Sequence, residues 1–275
     1  MTIEKRGGIL RCLNAEGFQT RAPSTLWCAQ QADAAHVWPD FCPVELHIED
    51  KGGDALLSYS KQNPNTAADY DRIIPDFTFR HWNECGMGDY DALVAQISAA
   101  GLVAPARDMV GWVGNLATNP MRRRLFELGQ QRPDLLDIRA IDWEKNRTSY
   151  LSLPALVSMF GILIDVEGAG WSARTKFLFW SHRPLILVER PHKEYYYEHL
   201  RAWQHYVPVK RDLSDLLEQV AWVQQHPVEA QVIAENAYTF AQEHLTRTAA
   251  WRQWDRVIRA AAKTHTEKSP IHTNE

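Results

Sequence analysis

The stretch GILIDVEGAGWSARTKFLFWSHRPLILVE, residues 161–189, decides the fold of this chain. It opens with the apolar run GILIDV (161–166) and closes with PLILVE (184–189), and both runs are typical of strands buried on two faces. The intervening SARTKFLFWSH (172–182) has the pattern of a helix. Two buried strands joined by a helix predict a βαβ unit and hence a parallel sheet.

The flanking sequence extends this alternation of strands and helices. Further strands are predicted in FCPVELHIED (41–50), RIIPDFTFRHW (72–82, with a flanking loop), DMVGWVGN (108–115) and YVPV (206–209). Further helices are predicted in DYDALVAQISAAG (89–101, with its glycine as a C-cap), in NPMRRRLFELGQQRP (119–133) and in three stretches after residue 211. The fold class is therefore α/β.

Composition limits the classes of function. The chain has 275 residues, 45% of them hydrophobic, and a formal net charge of -4, which describes a globular protein and argues against a dedicated nucleic-acid binder. No apolar run approaches the length that spans a bilayer. The four cysteines form no C-x-x-C pair, so the sequence predicts neither a zinc site nor a disulfide framework.

The turn DVEGAGWSARTK (165–176) has the form of a dinucleotide fingerprint. Gly168, Gly170 and Ala173 fit G-x-G-x-x-A, and Glu189 ends the next strand, where an acidic residue would meet a ribose. An NAD(P)-dependent oxidoreductase is therefore one hypothesis. Against it, the fingerprint lies past the middle of the chain, whereas it normally opens its domain at the first strand.

The same turn also has the parts of a general diphosphate site. Backbone N–H groups at a helix N-terminus attract phosphates, and Ser172 and Arg174 add a hydroxyl and a guanidinium. This combination favours a diphosphate that is stabilised as it departs. The alternative without function is that the glycines only turn the chain and Arg174 is solvated.

Several motifs together resemble one family. They are G-W-S-x-R-x-K (170–176), the block EYYY (194–197), and HYVPVK (205–210) followed by DLS (212–214), with less specific similarity in IPDFTF (74–79) and GWVGNLATNPMRRRLFEL (111–128). With these motifs the chain resembles the CAP10-like glycosyltransferases of family 90. That family includes protein O-glucosyltransferases, fungal capsule xylosyltransferases and bacterial lipopolysaccharide-modifying enzymes.

The resemblance implies a GT-B architecture, in which two Rossmann-like domains face a cleft and a C-terminal helix crosses back. The expected division is an N-terminal acceptor-side α/β domain (1–148), a nucleotide-sugar-binding domain (149–246), a helix that packs back on the first domain (247–264) and a disordered tail (265–275). The family further implies inverting transfer from UDP-sugars without a cofactor or a bound metal. The sequence has no D-x-D motif at an expected loop, which agrees with transfer without a bound metal.

The resemblance also assigns donor-binding roles. Arg174 is expected on the donor diphosphate, with Ser172 and the backbone around Gly170 as its partners. Lys176 falls toward another helix face, where it serves the site from the side or is structural. Arg122 matches an arginine that relatives use on the phosphates, although an arginine run such as 122–124 is more often a solvated surface.

Carboxylates supply the remaining candidates. Glu194 is expected to bind the ribose, in preference to Glu189. Inverting transfer needs a base that takes the proton of the acceptor hydroxyl. Relatives carry an Arg-Asp pair just after the segment that matches IPDFTF, but this chain has HWNE there. Glu84 and Asp76 are therefore the catalytic candidates, Asp76 with the alternative role of a cap, and His81 is a third.

The expected function is an inverting glycosyltransferase that moves glucose, xylose or a similar sugar from a UDP-linked donor to a glycan or glycolipid such as lipopolysaccharide. Because the chain begins MTIEKR and ends IHTNE, without the signal peptide and retention tail of eukaryotic relatives, a cytoplasmic location is expected. Peripheral contact with the membrane is expected through RPHKEYYYEHLRAW (190–203), which could equally line a cleft. The alternatives are the oxidoreductase and a catalytically silent sugar- or nucleotide-binding protein.

Overall fold

A computed structural model describes residues 1–51, 56–141 and 150–267, and side chains up to residue 263. Its contacts divide the chain into two units. Unit 1 comprises Met1–Trp82, His192–Glu198 and Arg247–Glu275. Unit 2 comprises Asn83–Pro191 and His199–Thr246.

The strands and helices of the described residues follow in chain order. The strands are β1 (Thr2–Arg6), β2 (Ile9–Asn14), β3 (Phe41–His47), β4 (Leu57–Ser58), β5 (Lys61–Gln62), β6 (Arg107–Gly114), β7 (Leu136–Ala140), β8 (Phe160–Asp165), β9 (Leu185–Val188), β10 (His192–Lys193) and β11 (Val207–Val209). The helices are α1 (Arg21–His36), α2 (Ala67–Tyr70), α3 (Tyr90–Gly101), α4 (Pro120–Gln131), α5 (Leu153–Met159), α6 (Thr175–Leu178), α7 (Leu216–Gln225), α8 (Pro227–His244) and α9 (Arg247–Glu267). Among these described helices, none combines the length and the apolarity needed to cross a bilayer.

Unit 2 is built on a five-stranded sheet with the order β11-β9-β8-β6-β7. All its neighbouring strands run parallel, and Leu163 of β8 lies opposite Leu185 of β9. Apolar side chains of the sheet, including Trp112 and Ile164, are buried against α4 and α7, which contribute Leu125 and Val220. The predicted mixed α/β fold with a parallel sheet is confirmed.

Unit 1 contains a different sheet. Its order is β2-β1-β3-β4, in which β1 pairs antiparallel with β2 and β3, and only β3 and β4 run parallel. Gly7 and Gly8 join β1 to β2 with φ values of 57° and 77°, which is the backbone that a two-residue hairpin turn requires. The sheet of unit 1 is therefore mixed, and it is not the parallel sheet that a Rossmann-like N-terminal domain would have.

The contacts also place the division of the chain elsewhere than near residue 148. That residue lies outside the described ones, but β6 pairs with both β7 and β8, so strands from both sides of it share one sheet. Helix α9 packs in unit 1 against α1, where Trp27 meets Trp251 edge to face at a centroid distance of 6.0 Å. Of the tail predicted over 265–275, the first three residues belong to α9, and residues 268–275 lie outside the described part of the chain.

The helix predicted over 172–182 is only a single turn. It begins at Thr175 and ends at Leu178. At its end Ser181 donates its hydroxyl to the carbonyl of Leu178, and His182 turns the chain with a φ of 51°. Side-chain and turn chemistry thus ends a segment that its apolar periodicity favours as a helix.

The strand predicted over 72–82 is also wrong. Ile73 makes an isolated bridge to Ser58, Trp82 is a second isolated bridge residue, and Phe77–Phe79 form a 3₁₀ turn. Pro75 has no N–H that could donate to a neighbouring strand, and Asp76 Oδ1 accepts a hydrogen bond from the N–H of Thr78 at 2.8 Å. Local hydrogen bonds therefore replace strand pairing here.

Candidate functional site

The parallel sheet of unit 2 has one topological switch point. Counted along the chain, its strands take the order 2-1-3-4-5, so the chain leaves β6 toward one edge and β8 toward the other. In open α/β sheets, ligands bind at the carboxyl ends of the two strands where this reversal occurs. The residues that follow β6 and β8 are therefore the place to look for a site.

A buried aspartate organises this place. Asp165, the last residue of β8, is fully buried, and both of its carboxylate oxygens accept hydrogen bonds. Oδ1 accepts from the Ser172 hydroxyl at 3.2 Å and from the guanidinium of Arg174. Oδ2 accepts from the Thr175 hydroxyl at 2.6 Å and from Nη1 of Arg190 at 3.0 Å. Burial by itself raises the pKa of Asp165, but the charges of Arg190 and Arg174 outweigh it and hold the pKa below its usual range.

Arg174 joins the two strands of the switch point. Its Nε and Nη2 donate to Asp165 Oδ1 at 3.2 and 3.0 Å, and its Nη1 donates to the carbonyl of Val113 in β6 at 2.6 Å. The guanidinium lies over the ring of the buried Trp112, 5.5 Å from the centroid. Since a guanidinium has five N–H groups, this arrangement fixes its plane with three and leaves two for a further acceptor.

Arg122 lies over the same indole ring. Asn119 caps α4 by accepting the N–H of Met121, which sets the first turn of the helix beside the switch point. From there Arg122 donates to the main-chain carbonyls of Glu167, Asn115 and Val166 at 2.9–3.2 Å, and its guanidinium lies 5.5 Å from the Trp112 centroid. Burial, and then the charge of Arg174, lowers its pKa to about 10. The alternative interpretation from the sequence, in which Arg122 belongs to a solvated run of arginines, is therefore wrong.

Positive charge exceeds negative charge at this switch point. Arg122, Arg174 and Arg190 all act on the electrostatics of Asp165, which is one carboxylate. The adjacent Glu167 is paired with Arg211 at 3.2 Å. Guanidiniums held at low exposure by neutral carbonyls and a single aspartate form a fixed cationic surface, and such a surface stabilises a phosphate or diphosphate.

The remaining turn residues have local roles in this arrangement. The N–H of Gly168 bonds the carbonyl of Trp171 at 3.1 Å and closes the turn in which the buried Gly170 lies. Lys176 is fully buried; its Nζ donates to the carbonyl of Ala173 at 3.1 Å and lies 5.7 Å from the Trp171 ring centroid. The sequence led us to expect a helix N-terminus that attracts phosphates. Because α6 is a single turn, its dipole is small, and the guanidiniums supply most of the positive charge.

Glu194, the predicted ribose-binding residue, is not part of unit 2. It lies in unit 1, buried, with its Oε2 accepting from the Tyr196 hydroxyl at 2.7 Å. Glu189, its alternative, is exposed in unit 2 just after β9. The ribose-binding role of Glu194 stays a prediction.

The two base candidates lie in different units. Asp76 of unit 1 is buried and caps the 3₁₀ turn, accepting the N–H and the hydroxyl of Thr78 at 2.8 and 2.6 Å. Glu84 of unit 2 is exposed in a second 3₁₀ turn, Asn83–Cys85. His81 of unit 1 is partly exposed, and its Nδ1 is buried. The cap that the sequence proposed as the other role of Asp76 is present, and the identity of the base stays a prediction.

Sequence reasoning missed the residues at the centre of the site, namely Asp165, Arg190 and Glu167. A signal for each was available, because all three are charged residues placed directly at the end of an apolar strand run. Charged side chains at the carboxyl ends of buried strands are the expected lining of a switch point. Within the described part of the chain, no cluster of three or more His, Cys, Asp and Glu is arranged to hold a metal.

Comparison with known proteins identifies the family. The model described as Glycosyl transferase family 90 matches residues 43–275. The chain belongs to this family. The resemblance drawn from the motifs at 170–176, 194–197 and 205–210 is thereby confirmed.

Relatives of the family 90 chain include protein O-glucosyltransferases. Protein O-glucosyltransferase 3 of Rattus norvegicus is 30% identical over 157 residues, which cover 54% of this chain and 31% of that protein. Protein O-glucosyltransferase 1 of Homo sapiens is 26% identical over 229 residues, which cover 76% of this chain and 57% of that protein. The family 90 chain thus spans 31% and 57% of the length of these two relatives. A crystal structure of Anabaena HepE in complex with UDP and glucose is similar at a TM-score of 0.47 and 10% identity, over 75% of this chain and 63% of that one.

Proposed function

We propose that this family 90 chain is a glycosyltransferase that uses a nucleotide diphosphate sugar, with UDP as the nucleotide and glucose or xylose as the sugar. The observation that carries the proposal is the excess of guanidinium charge at the switch point of the sheet, where hydrogen bonds within the chain hold each guanidinium. Arg122 and Arg174 both lie over the ring of Trp112 there and keep N–H groups beyond those bonded within the chain. A diphosphate is the anion that matches two adjacent guanidiniums.

The proposed chemistry places negative charge at this position. A base removes the proton of the acceptor hydroxyl, the oxygen attacks the anomeric carbon, and the bond from that carbon to the diphosphate oxygen breaks. The electron pair of the broken bond stays on the nucleotide diphosphate. Arg174 and Arg122 stabilise that departing charge, and this requires them to be oriented before the reaction. Asp165 provides the orientation, because it fixes Arg174 from Nε and Nη2.

We further propose inversion at the anomeric carbon and no requirement for a metal. Guanidiniums and the backbone of the turn supply the positive charge that a divalent cation supplies in other transferases. Asp76 and Glu84 remain the proposed bases. The same cationic surface with G-x-G-x-x-A would also accept the pyrophosphate of NAD(P), but membership of family 90 favours the transferase over the oxidoreductase.

The proposed acceptor is a glycan or a glycolipid such as lipopolysaccharide. This part of the proposal rests on the resemblance to the bacterial lipopolysaccharide-modifying members of the family. With such an acceptor, the chain would act in the cytoplasm at the inner face of the membrane, with peripheral contact through residues 190–203. Liposome flotation with and without glycolipid tests the contact.

A donor-binding protein without transfer activity is the second candidate function. It is favoured by one observation: Oδ1 of Asp76 already accepts two hydrogen bonds from Thr78 as a cap. If neither Asp76 nor Glu84 takes a proton, the chain binds the donor and leaves it intact.

Calorimetric titration separates these functions. We expect UDP and a UDP-sugar to bind, and NADH to bind weakly or not at all. Tight binding of NADH without a response to any nucleoside diphosphate would overturn the transferase. Release of UDP from UDP-glucose or UDP-xylose in the presence of EDTA then distinguishes a metal-independent transferase from the silent binder, which binds the donor without releasing UDP.

A further inference from the structure

Glu167 differs from Asp165 in how the oxygens of its carboxylate are partnered. It follows β8 by two residues, and its side chain is 6% exposed. Oε1 accepts from Asn119 Nδ2 at 3.3 Å and from Arg211 Nη2 at 3.2 Å. Oε2 is buried and has no hydrogen-bond partner among the described residues.

This unpartnered oxygen contrasts with the carboxylate two residues earlier in the chain, which is fully satisfied. Both oxygens of Asp165 accept hydrogen bonds from side chains of the same chain, as a structural group requires. A buried carboxylate oxygen without a donor costs free energy of unfolding, since it has lost its water and gained nothing. A buried oxygen of this kind next to a proposed binding site is a candidate for a donor that the ligand supplies.

The position of Glu167 identifies the kind of donor. Its main-chain carbonyl accepts Nε of Arg122 at 2.9 Å, so the residue adjoins the proposed diphosphate position. An ionised carboxylate accepts hydrogen bonds and repels phosphate oxygens, so its partner must be an uncharged group close to the phosphates. In a nucleotide sugar these are the hydroxyls of the ribose and of the transferred sugar.

We propose that Glu167 Oε2 accepts a hydrogen bond from a sugar hydroxyl of the donor and so contributes to its recognition. The inference rests on the proposed function. Asn119 and Arg211 hold the other oxygen, which fixes the carboxylate for this contact. A fixed acceptor discriminates strongly against an analogue that lacks the hydroxyl, because the buried oxygen then stays unpaired.

Glu167→Gln in the full chain tests the inference, with UDP, UDP-glucose, UDP-xylose and inorganic pyrophosphate as probes. A hydrogen bond to a charged group is worth about 1.5–3 kcal/mol, which is roughly a 10- to 100-fold change in Kd. We expect such a loss for the nucleotides and none for pyrophosphate. Loss for UDP and UDP-sugars alike assigns the ribose, and loss for UDP-sugars alone assigns the transferred sugar.

Control measurements separate this inference from the proposed function. Glu218→Gln, the same change at an exposed position of α7, should bind every probe like the parent. If Glu167→Gln binds all nucleotides like the parent, or loses pyrophosphate by the same factor, the inference is wrong while the proposed function stands. If the parent binds no UDP compound, the proposed function itself fails. Glu167→Asp, which keeps the charge and shortens the reach, gives the same comparison if the glutamine variant does not fold.

Discussion

Arg190 binds Asp165 in two places: its Nη1 donates to the carboxylate Oδ2 and its Nη2 to the main-chain carbonyl, both at 3.0 Å. Arg190 follows β9 and Asp165 ends β8, so the pair joins the carboxyl ends of neighbouring strands. Arg174 extends the connection from Asp165 to the carbonyl of Val113 in β6. A single buried aspartate thus links three strands of the sheet and orients the guanidiniums of Arg174 and Arg190.

Asp165→Asn should therefore destabilise unit 2. Removing the charge of a buried pair leaves its arginines uncompensated, which costs about 3–5 kcal/mol. Since the pKa of Asp165 is lowered, its contribution is present at neutral pH and is lost only as the pH falls below the ordinary value of 3.8. Urea unfolding at neutral pH measures the change. Asp134→Asn, which breaks the exposed pair with Arg132, should leave the unfolding midpoint almost unchanged, and equal effects of the two variants would contradict the argument.

Arg174→Lys should weaken donor binding although it keeps the charge. An ammonium cannot donate to Asp165 from two nitrogens and also reach Val113 and a phosphate. We expect Kd for UDP to rise roughly 10- to 100-fold, the equivalent of one charge-assisted hydrogen bond. Arg124→Lys is the matched control, because Arg124 is exposed on α4 and pairs with Glu127 at 3.6 Å. Unchanged UDP affinity in the Arg174 variant would remove it from the donor site.

Gly101→Ala distinguishes two reasons for a glycine at the end of α3. The sequence favours a C-cap, but the structure has Gly101 as the last helical residue and Leu102 as the C-cap. A Cβ at Gly101 would lie 1.9 Å from the carbonyl oxygen of Ser181. The variant should lose about 1–3 kcal/mol of unfolding free energy by overpacking. Gly88→Ala, where no atom lies within 4 Å of the added Cβ, should cost much less, and a stabilised Gly101→Ala would refute the packing role.

Two histidines of unit 2 should make stability depend on pH. Burial, then the charge of His244, lowers the pKa of His205, and burial, then the charge of His199, lowers that of His244. As the pH falls through the ordinary histidine pKa of 6.5, the unfolded chain takes up protons that the folded chain does not yet bind. The free energy of unfolding therefore decreases as the pH is lowered through this value. The double variant His205→Gln/His244→Gln should flatten the dependence of the urea midpoint on pH. An unchanged slope in the double variant would exclude these groups.

The sequence predicted the parts of the site that follow from periodicity and from family motifs. The buried runs at 161–166 and 184–189 are neighbouring parallel strands, and Ser172 and Arg174 lie together at the switch point. It did not predict that these two side chains are turned toward Asp165. That outcome depends on Asp165, a buried charge that is stable only with hydrogen-bond donors from several loops. Sequence periodicity carries no information about which side chains donate to it.

Local caps and longer-range hydrogen bonds explain the elements that the sequence predicted wrongly. In 72–82, apolar residues alternate as in a strand, yet Pro75 and the cap by Asp76 prevent a ladder. In 172–182 the helical pattern is real, but Ser172 and Thr175 give their hydroxyls to Asp165 instead of supporting a longer helix. Side chains that bond outside their own segment override its local preference.

Asp76→Asn separates the two roles of this aspartate. An asparagine oxygen accepts the N–H of Thr78 as the carboxylate does, so the cap and the fold should survive, whereas Asp76→Ala should lose about 0.5–2 kcal/mol. An amide cannot take a proton. If Asp76 is the base, Asp76→Asn should therefore bind UDP like the parent and lose at least about 100-fold in sugar transfer. Glu84→Gln is the parallel variant for the exposed candidate. Full transfer in both variants would exclude both residues as the base and direct the search to His81.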